Sequence, residues 1–401
     1  MPDLSRILAL KDFEPAARRL LPRPIFGYVN GAAEDNRSLR DNRAAMDAWS
    51  LIPRTLVNVS ERSQAVTLFG TRYASPFGIA PMGLAALSGY GGDLALACAA
   101  REAGIPAVLS GSSLTPLEEV AQAAPGTWFQ AYLPGDVDRI LALLARVRRA
   151  GYETLVVTVD IPVGANRENN LRTGFSTPLK PSLRLAFDGL TRPRWLLGTF
   201  ARTLLVRGMP HFENSFAERG APIVSRNVMR DFSARDHLDW SHLARIRAAW
   251  PGPLVVKGLL SDADAALAVR TGVDGLIVSN HGGRQLDGAV APLRVLERIV
   301  DAAGERTAVM IDSGFRRGTD VLKALALGAR LAWIGRPFNY ALAVAGQAGV
   351  AHGIALLRAE IDRDMAMLGV RSCDELGRQH LLAHGAAPAW PAAAPEDRLA
   401  A

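Results

Sequence analysis

Eight short apolar runs, each followed by a segment with one apolar face, constrain the fold of this chain more than any other feature. The runs are short and apolar, which is typical of buried strands, and the run Gly275-Leu276-Ile277-Val278 is also β-branched and lacks helix signals. They lie near residues 77–80, 106–109, 128–131, 155–159, 254–257, 275–279, 308–312 and 331–334. Helical patterns lie near residues 93–103, 115–123, 136–150, 236–250, 262–271, 292–303, 318–327 and 352–367. Eight such alternations predict an α/β fold, a closed (β/α)8 or TIM barrel.

An open, doubly wound sheet is the alternative fold. A sheet of that kind that binds a nicotinamide dinucleotide carries Gly-x-Gly-x-x-Gly after its first strand. The turn after the first strand here, Pro81-Met82-Gly83-Leu84-Ala85, lacks that pattern. The sequence therefore disfavours a nicotinamide-binding sheet.

Three parts of the chain lie outside the alternation. Residues 1 to about 75 contain a polar helical pattern around Ala33 to Trp49, which predicts an N-terminal helical cap. Roughly ninety residues separate the fourth strand from the fifth, far more than a barrel loop needs, so we expect an insertion over about 161–235. Residues 386–401 form a low-complexity tail rich in Ala and Pro. We expect residues 1–385 to form a single domain.

The insertion is both basic and apolar. Asp188 is its one acidic residue between positions 172 and 207. Basic and aromatic side chains are interspersed there, namely Lys180, Arg184, Phe187, Arg192, Arg194, Trp195, Phe200, Arg202 and Arg207. Such a segment is typical of an anchor on a membrane surface. A mobile lid over the active site, or a contact with a neighbouring subunit, is the alternative that the sequence leaves open.

Composition narrows the choice of partners. The net charge of +7 raises the question of an anionic partner. Lys and Arg form no run of the nucleic-acid-binding type, and they do not interleave with aromatic residues in the manner of RNA-binding sheets, so we expect no nucleic acid. No signal-peptide core and no apolar run of transmembrane length is present, which predicts a cytoplasmic protein. The seven histidines include no pair with ligand spacing at a strand end, so we expect no metal.

The end of the sixth predicted strand carries His281 and Arg284, separated by two glycines. Glycine admits backbone conformations that let both side chains point at one place. A neutral imidazole can accept a proton near pH 7, and a guanidinium can hold a carboxylate by two hydrogen bonds. A base beside an anion clamp is what oxidation of a 2-hydroxy acid requires. The alternative is a capped loop with a solvated Arg and a structural His.

Other strand ends carry compatible groups, and barrel catalysis takes place at these ends. The seventh and eighth strands end in glycines with Arg316 and Arg336, where barrels often bind phosphate. The remaining strand ends offer a carboxylate, cations and a phenol: Asp160, Arg167, Lys257 and Tyr132. Each has a simpler interpretation, such as Lys257 neutralised by Asp312 or Asp160.

Several segments closely resemble the FMN-dependent 2-hydroxy-acid dehydrogenase/oxidase family, in order and spacing from about Leu4 to Leu381. They are Phe129-Gln-Ala-Tyr132, Thr158-Val-Asp160, Val256-Lys-Gly258, Ser279-Asn-His-Gly-Gly-Arg-Gln-Leu-Asp287 and Asp312-Ser-Gly-Phe-Arg-Arg-Gly-Thr-Asp320. Gly92-Asp93-Leu-Ala-Leu-Ala97, Arg192-Pro-Arg-Trp195 and the basic insertion resemble most the bacterial, membrane-associated lactate and mandelate dehydrogenases of that family.

The resemblance implies FMN as cofactor and a role for each matched residue. His281 would be the base, with Asp160 stabilising the imidazolium that forms. The substrate would contact Arg167, Arg284, Tyr28 and Tyr132. Lys257 would stabilise negative charge on the flavin. The isoalloxazine would be lined by Pro81, Met82, Gly83, Ser110, Gln130, Thr158 and Ser279, and the ribityl phosphate would be bound by Asp312, Gly314, Arg316, Gly335 and Arg336.

Three residues depart from the common pattern of the family. Met82 replaces a frequent Thr, and Ser112 replaces the Trp of glycolate oxidases, which implies a roomier pocket. Gly83 stands where oxidases usually have Ala. The resemblance therefore implies a dehydrogenase that passes electrons to a quinone or protein, works on the inner face of the cytoplasmic membrane, and assembles as a homo-oligomer, a tetramer.

Alternatives remain open at this point. The enzyme could use oxygen as its acceptor and form hydrogen peroxide. From another class, Lys257 could be the nucleophile of a Schiff-base lyase. A flavin-binding barrel without 2-hydroxy-acid turnover is a third possibility. Lactate and mandelate both remain candidate substrates.

Overall fold

The computed structural model describes residues 3–225 and 235–384. The strands are β1 Trp49–Leu51, β2 Val66–Leu68, β3 Thr71–Tyr73, β4 Phe77–Ile79, β5 Val108–Ser110, β6 Trp128–Tyr132, β7 Leu155–Thr158, β8 Leu254–Leu259, β9 Gly275–Val278, β10 Ala308–Ile311, β11 Leu331–Ile334 and β12 Leu381–Ala383.

The helices are α1 Phe13–Leu20, α2 Arg23–Asn30, α3 Arg37–Asp47, α4 Ala85–Ser88, α5 Gly92–Glu102, α6 Leu117–Ala123, α7 Val137–Arg149, α8 Glu168–Thr173, α9 Leu183–Leu190, α10 Pro193–Trp195, α11 Arg202–Arg207, α12 Trp240–Ala249, α13 Asp262–Arg270, α14 Pro292–Ala303, α15 Gly318–Ala326 and α16 Arg336–Leu368. A π-helical segment, Leu196–Ala201, joins α10 to α11.

Strands β4 to β11 form one parallel sheet of eight strands, in the order β4-β11-β10-β9-β8-β7-β6-β5. A parallel bridge between Ile79 and Ala107 joins the two end strands. There the Ile79 N–H donates to the Pro106 carbonyl at 2.9 Å. The predicted (β/α)8 barrel is therefore confirmed. Its strands are apolar on both faces, because one face packs on helices and the other fills the interior.

The interior of the barrel is filled by large side chains. Trp128 and Trp333 meet with ring centroids 4.9 Å apart. The β2–β3 hairpin covers the amino-terminal end of the strands, where Phe69 packs on Trp128 at 5.6 Å. The opposite end stays open, which leaves the carboxyl ends of the strands as the place for a cavity.

The N-terminal helices form the predicted cap. Helix α1 packs on α16, and α2 packs on α8. Backbone carbonyls of Tyr28 and Gly31, at the end of α2, accept hydrogen bonds from Arg284 of the loop after β9. The cap therefore reaches the functional end of the barrel.

The insertion contains helices α8 to α11 and lies against the cap and α4. Trp195 donates its indole N–H to the Leu87 carbonyl at 2.6 Å, and Arg192 donates to the Leu21 carbonyl at 3.3 Å. The predicted tail, residues 386–401, lies outside the described residues, as does the end of the insertion at 226–234.

The last helix is longer than the sequence pattern indicated. A helix is predicted near 352–367, whereas α16 begins at Arg336 and has non-helical backbone at Ala345 and Gly346. Its first part is buried on most sides, so no polar face reveals its period. By length and composition α16 could cross a membrane. It is instead the last helix of the barrel, packed on α1, α5 and α15.

Candidate active site

A cavity of about 480 Å³ opens at the carboxyl ends of the strands. Its walls come from α2, the strand-end loops and the start of the insertion. Most of the predicted site residues line it, namely Tyr28, Pro81, Met82, Gly83, Tyr132, Thr158, Arg167, Lys257, His281, Arg284, Asp312, Gly314, Arg316, Gly335 and Arg336. The other four, Ser110, Gln130, Asp160 and Ser279, are buried or half-buried next to lining residues.

His281 and Asp160 form a pair at one wall of the cavity. The His281 Nδ1 lies 3.1 Å from Asp160 Oδ1 and 3.2 Å from Oδ2. Burial favours the uncharged ring and lowers the pKa of His281, although Asp160 partly opposes this. Burial works against the Asp160 carboxylate, but His281 and Lys257 outweigh it and lower the pKa of Asp160. The pair therefore consists of a neutral imidazole held by a carboxylate at neutral pH.

Arg167 and Arg284 stand beside this pair. The Arg167 Nε donates to the Arg284 carbonyl at 3.0 Å, and its Nη2 donates to Gln285 Oε1 at 2.6 Å. The Arg284 Nη1 donates to the carbonyls of Tyr28 and Gly31. Burial, together with the charge of Arg167, lowers the pKa of Arg284. Within the described part of the chain both guanidinium groups donate to carbonyls or an amide instead of a carboxylate, so a bound carboxylate would meet unneutralised charge.

Two tyrosines line the cavity near these guanidinium groups. The Tyr28 ring stacks on Phe175 with centroids 4.4 Å apart, and the Arg284 guanidinium lies 5.0 Å from its centroid. Burial raises the pKa of Tyr132, so its hydroxyl stays protonated. Both hydroxyls are available to contact substrate oxygens.

Lys257 lies at the inner wall. Its Nζ donates to Ser279 Oγ at 2.8 Å and is 3.1 Å from Asp312 Oδ2. Burial works against the ammonium, but Asp312 and Asp160 outweigh it and raise the pKa of Lys257. The side chain is therefore a fixed positive charge at the base of the cavity.

Arg316 and Arg336 supply a second pair of guanidinium groups. The Arg316 Nη1 donates to the Phe315 carbonyl at 2.8 Å, and Arg336 donates to the carbonyls of Val29, Gly31 and Gly282. Burial lowers the pKa of both residues. A phosphate group would supply the negative charge that these side chains do not find in the described part of the chain.

Four buried polar atoms around the cavity have no hydrogen-bond partner among the described residues. They are Gln130 Nε2, Thr158 Oγ1, Trp333 Nε1 and Asn339 Oδ1. Leaving a buried donor or acceptor unpaired costs about 1–3 kcal/mol, so such atoms indicate a missing polar ligand. A cofactor with a hydrogen-bonding ring and a phosphate fits these atoms, together with the charges of Lys257, Arg316 and Arg336 in the lining of the cavity.

Some residues of the site are not assigned by the sequence. Gln285 accepts from Arg167 and donates its Nε2 to the Asp160 carbonyl at 2.9 Å, which links the base to the anion clamp. Its place beside Arg284 in the motif is the signal that points to it. Phe175 and Asn339 line the cavity from the insertion and from α16, where no motif marks them.

Comparison with known proteins identifies relatives over almost the whole chain. A family model described as FMN-dependent dehydrogenase matches residues 17–383. The (S)-mandelate dehydrogenase of Pseudomonas putida is 39% identical over 385 residues, which cover 94% of each chain. An L-lactate dehydrogenase of Ectopseudomonas mendocina is 41% identical, with 92% of this chain and 97% of the relative covered.

A solved structure agrees with the fold and the size of the chain. The crystal structure of the monotopic membrane protein (S)-mandelate dehydrogenase superposes with a TM-score of 0.85 and 36% sequence identity. The superposition covers 94% of this chain and 100% of that structure.

Proposed function

Since the chain belongs to the FMN-dependent dehydrogenase family, we propose that it oxidises an L-2-hydroxy acid, of the lactate or mandelate type, to the 2-oxo acid. One observation carries the proposal. The imidazole of His281, held by Asp160, lies in a cavity that also contains the guanidinium groups of Arg167 and Arg284, which contact no carboxylate among the described residues. A base and an anion clamp in one cavity match the hydroxyl and the carboxylate of such a substrate.

The residues that would hold FMN line the same cavity or lie next to its lining residues. Arg316 and Arg336 would bind the phosphate, with Asp312, Gly314 and Gly335 beside them. The ring would be lined by Pro81, Met82, Gly83, Ser110, Gln130, Thr158 and Ser279. Bound FMN supplies the acceptor for the two electrons that leave the substrate. Lys257 would offset negative charge at the ring.

His281 would accept a proton from the substrate. Its Nδ1 contacts Asp160, which leaves Nε2 for the substrate hydroxyl or the carbon that bears it. A hydride mechanism and a carbanion mechanism both need a base at this place. Asp160 would stabilise the imidazolium that forms, as a carboxylate behind a catalytic histidine does.

The carboxylate of the substrate would be held by Arg167 and Arg284, with the hydroxyls of Tyr28 and Tyr132 on its oxygens. The rest of the substrate would face Ser112 and the apolar side chains of Phe175 and Leu171. These walls accept a methyl or a phenyl group, so lactate and mandelate both stay candidates.

The acceptor that reoxidises the enzyme is proposed to be a membrane quinone or a redox protein, reached from the inner face of the cytoplasmic membrane. The insertion supports this. Leu183 is 92% exposed and Leu205 is 86% exposed, and Phe187 and Leu190 share the helix face of Leu183 at α9. Apolar side chains exposed together on a basic segment lose contact with water when they enter a lipid headgroup layer.

The Schiff-base alternative is not supported. A nucleophilic lysine must be uncharged, whereas Asp312 and Asp160 raise the pKa of Lys257. Its Nζ is also fixed between Ser279 and Asp312. Lys257 therefore suits electrostatic stabilisation better than covalent catalysis.

Anaerobic reduction of the purified yellow protein tests the proposed function. Addition of L-lactate, (S)-mandelate, glycolate and longer 2-hydroxy acids, each with its enantiomer where one exists, should remove the flavin absorbance for at least one L-acid. His281→Gln should retain the absorbance of bound FMN and lose reduction by about 10² to 10⁴-fold in rate. If no 2-hydroxy acid reduces the wild-type protein, the proposal is wrong.

On the basis of the family resemblance, the homo-oligomer is proposed to be a tetramer. Light scattering of the purified protein measures its mass.

The electron acceptor is tested by reoxidation of the reduced protein. The oxygen-using alternative predicts rapid reoxidation in air with formation of hydrogen peroxide, whereas a dehydrogenase should reoxidise slowly in air and rapidly with a quinone.

A further inference from the structure

Helix α3 contacts both loops that carry the charged groups of the cavity. The loop of residues 279–289 follows β9 and carries His281, and the loop of residues 312–317 follows β10 and carries Arg316. No residue of α3 is among the described residues that line the cavity. We propose that α3 positions both loops. Asn42 positions His281, and Arg43 positions the loop of Arg316, the residue that would bind the phosphate. The inference rests on the proposed function for the role of His281.

Both loops contain a non-glycine residue in left-handed backbone. The φ angle is 57° at His281 and 78° at Ser313. Such conformations cost free energy and persist only where neighbouring groups hold them. The groups that hold these two loops are therefore part of what sets the reactive geometry.

Asn42 is paired with Asn280, the residue before His281. The Asn42 Nδ2 donates to Asn280 Oδ1 at 3.0 Å, and the Asn280 Nδ2 donates to Asn42 Oδ1 at 2.7 Å. Both side chains are almost fully buried. The same Asn280 Oδ1 accepts from the Gly283 N–H at 3.1 Å. Asn42 thus completes a network that brackets His281 on both sides.

The backbone of α3 also lies against both loops. A methyl group added at Gly283 would lie 2.6 Å from the Leu39 nitrogen, and one added at Gly314 would lie 2.6 Å from the Asn42 carbonyl oxygen. The Ser38 N–H donates to Asp287 Oδ1 at 2.9 Å. The helix cannot shift without moving the loops, because no space separates them.

Arg43 connects the same helix to the phosphate end. Its Nη1 donates to the Gly314 carbonyl and to Asp320 Oδ2, each at 2.6 Å. That carboxylate oxygen also accepts from the backbone N–H of Arg316 at 2.8 Å. Arg43 therefore holds the loop at two points. It contacts Gly314 directly, and it contacts Arg316 through Asp320.

Adjacent residues of α3 should thus affect different steps, and two alanine variants test this. Asn42→Ala should slow anaerobic flavin reduction by about 100-fold, because a small displacement of a base is costly. Arg43→Ala should raise the dissociation constant of FMN by roughly tenfold, because a charge-assisted contact to the phosphate loop is lost. The dissociation constant is measured by quenching of flavin fluorescence on titration of the apoprotein. Asn42→Ala should slow flavin reduction more than Arg43→Ala does, and Arg43→Ala should raise the dissociation constant of FMN more than Asn42→Ala does.

Three further variants make the test specific. Arg40→Ala, an exposed position of α3, should change neither quantity. Asn280→Ala combined with Asn42→Ala should be no slower than Asn280→Ala alone, because Asn42 acts on the loop through Asn280. Asn42→Ser removes the amide pair with less loss of volume and should also slow reduction, which covers the case in which Asn42→Ala does not fold.

Two results would overturn the inference. One is reduction by Asn42→Ser and Asn42→Ala at the wild-type rate. The other is that the Asn42 and Arg43 variants lose thermal stability to the same extent and do not differ from each other in reduction rate or in FMN affinity. That result is expected if α3 only stabilises the fold. If no 2-hydroxy acid reduces the wild-type protein, the proposed function is wrong. The FMN affinity of Arg43→Ala would then still test whether Arg43 positions the loop of residues 312–317.

Discussion

At the scale of single residues, the cavity combines four guanidinium groups that contact no carboxylate among the described residues with one base that is uncharged. Arg167 and Arg284 donate to carbonyls or an amide, and Arg316 and Arg336 donate to carbonyls. Burial keeps His281 neutral, and Asp160 keeps its ring in place. The arrangement is costly without ligands, which is why we infer that it serves two anionic groups.

The pH dependence of activity follows from the pKa of His281. A protonated imidazole cannot accept a proton, and burial lowers its pKa below the usual value near 6.5. The value of kcat/KM should therefore rise with pH below about 6.5 and stay level from there through neutral pH. Asp160→Asn removes the charge that opposes burial, so the acidic limb should move to lower pH and the plateau should fall by about 10²-fold.

The control for this prediction is a second His–Asp pair on the surface. His242 Nδ1 lies 2.8 Å from Asp239 Oδ1, and Asp239→Asn should leave the pH profile as it is. An acidic limb above pH 6.5 in the wild-type protein, or one that Asp160→Asn moves to higher pH, would contradict the assignment of His281 as the base.

Gly83 determines the space between Tyr28 and Ser112. A methyl group added there would lie 3.3 Å from the Tyr28 hydroxyl and 3.0 Å from Ser112 Cβ. Gly83→Ala should displace Tyr28 and raise KM. If overpacking costs about 1 kcal/mol of substrate binding, KM should rise by about fivefold. Steady-state kinetics measure this. Gly198→Ala, at an exposed glycine with open space around it, should leave KM as it is, and an equal rise in both variants would refute the explanation.

At the scale of secondary-structure elements, the barrel strands could be predicted and several contacts could not. Short apolar runs predict β4 to β11, because strands buried on both faces leave a continuous apolar signal. The first part of α16 has no polar face, so the sequence pattern does not show that the helix begins at Arg336. The pair of Asn42 with Asn280 joins residues 238 positions apart, and only the closed fold brings them together.

The insertion carries an element-scale prediction about membranes. Leu183→Ser with Leu205→Ser should weaken sedimentation with vesicles that contain anionic lipid by about tenfold or more, because two exposed leucines no longer enter the headgroup layer. Leu8→Ser with Leu56→Ser is the matched control, since these leucines are 73% and 105% exposed outside the insertion. Equal binding by the two double variants would contradict an anchor and favour a lid or a subunit contact.

At the scale of the whole molecule, we propose that residues 1–385 form one unit whose cofactor site joins the cap to the barrel. Arg284 and Arg336 both donate to carbonyls at the end of α2, and α3 holds the loops after β9 and β10. Occupation of the cavity should therefore stabilise the cap and the barrel together.

Removal of FMN should lower the thermal stability of the protein. A ligand at 100 times its dissociation constant adds about 2.7 kcal/mol to the free energy of unfolding. Riboflavin, which lacks the phosphate that Arg316 and Arg336 would bind, should raise the melting temperature less than FMN at equal concentration. Calorimetry of the apoprotein with each compound measures this, and equal stabilisation would argue against a phosphate site at these two residues.

The crystal structure of the protein with bound FMN and a 2-oxo acid tests the central claim most directly. We predict the phosphate on Arg316 and Arg336, the carboxylate of the 2-oxo acid on Arg167 and Arg284, and its keto oxygen within hydrogen-bond distance of His281 Nε2. A carboxylate bound away from Arg167 and Arg284, or a His281 ring out of reach of the keto oxygen, would contradict the account.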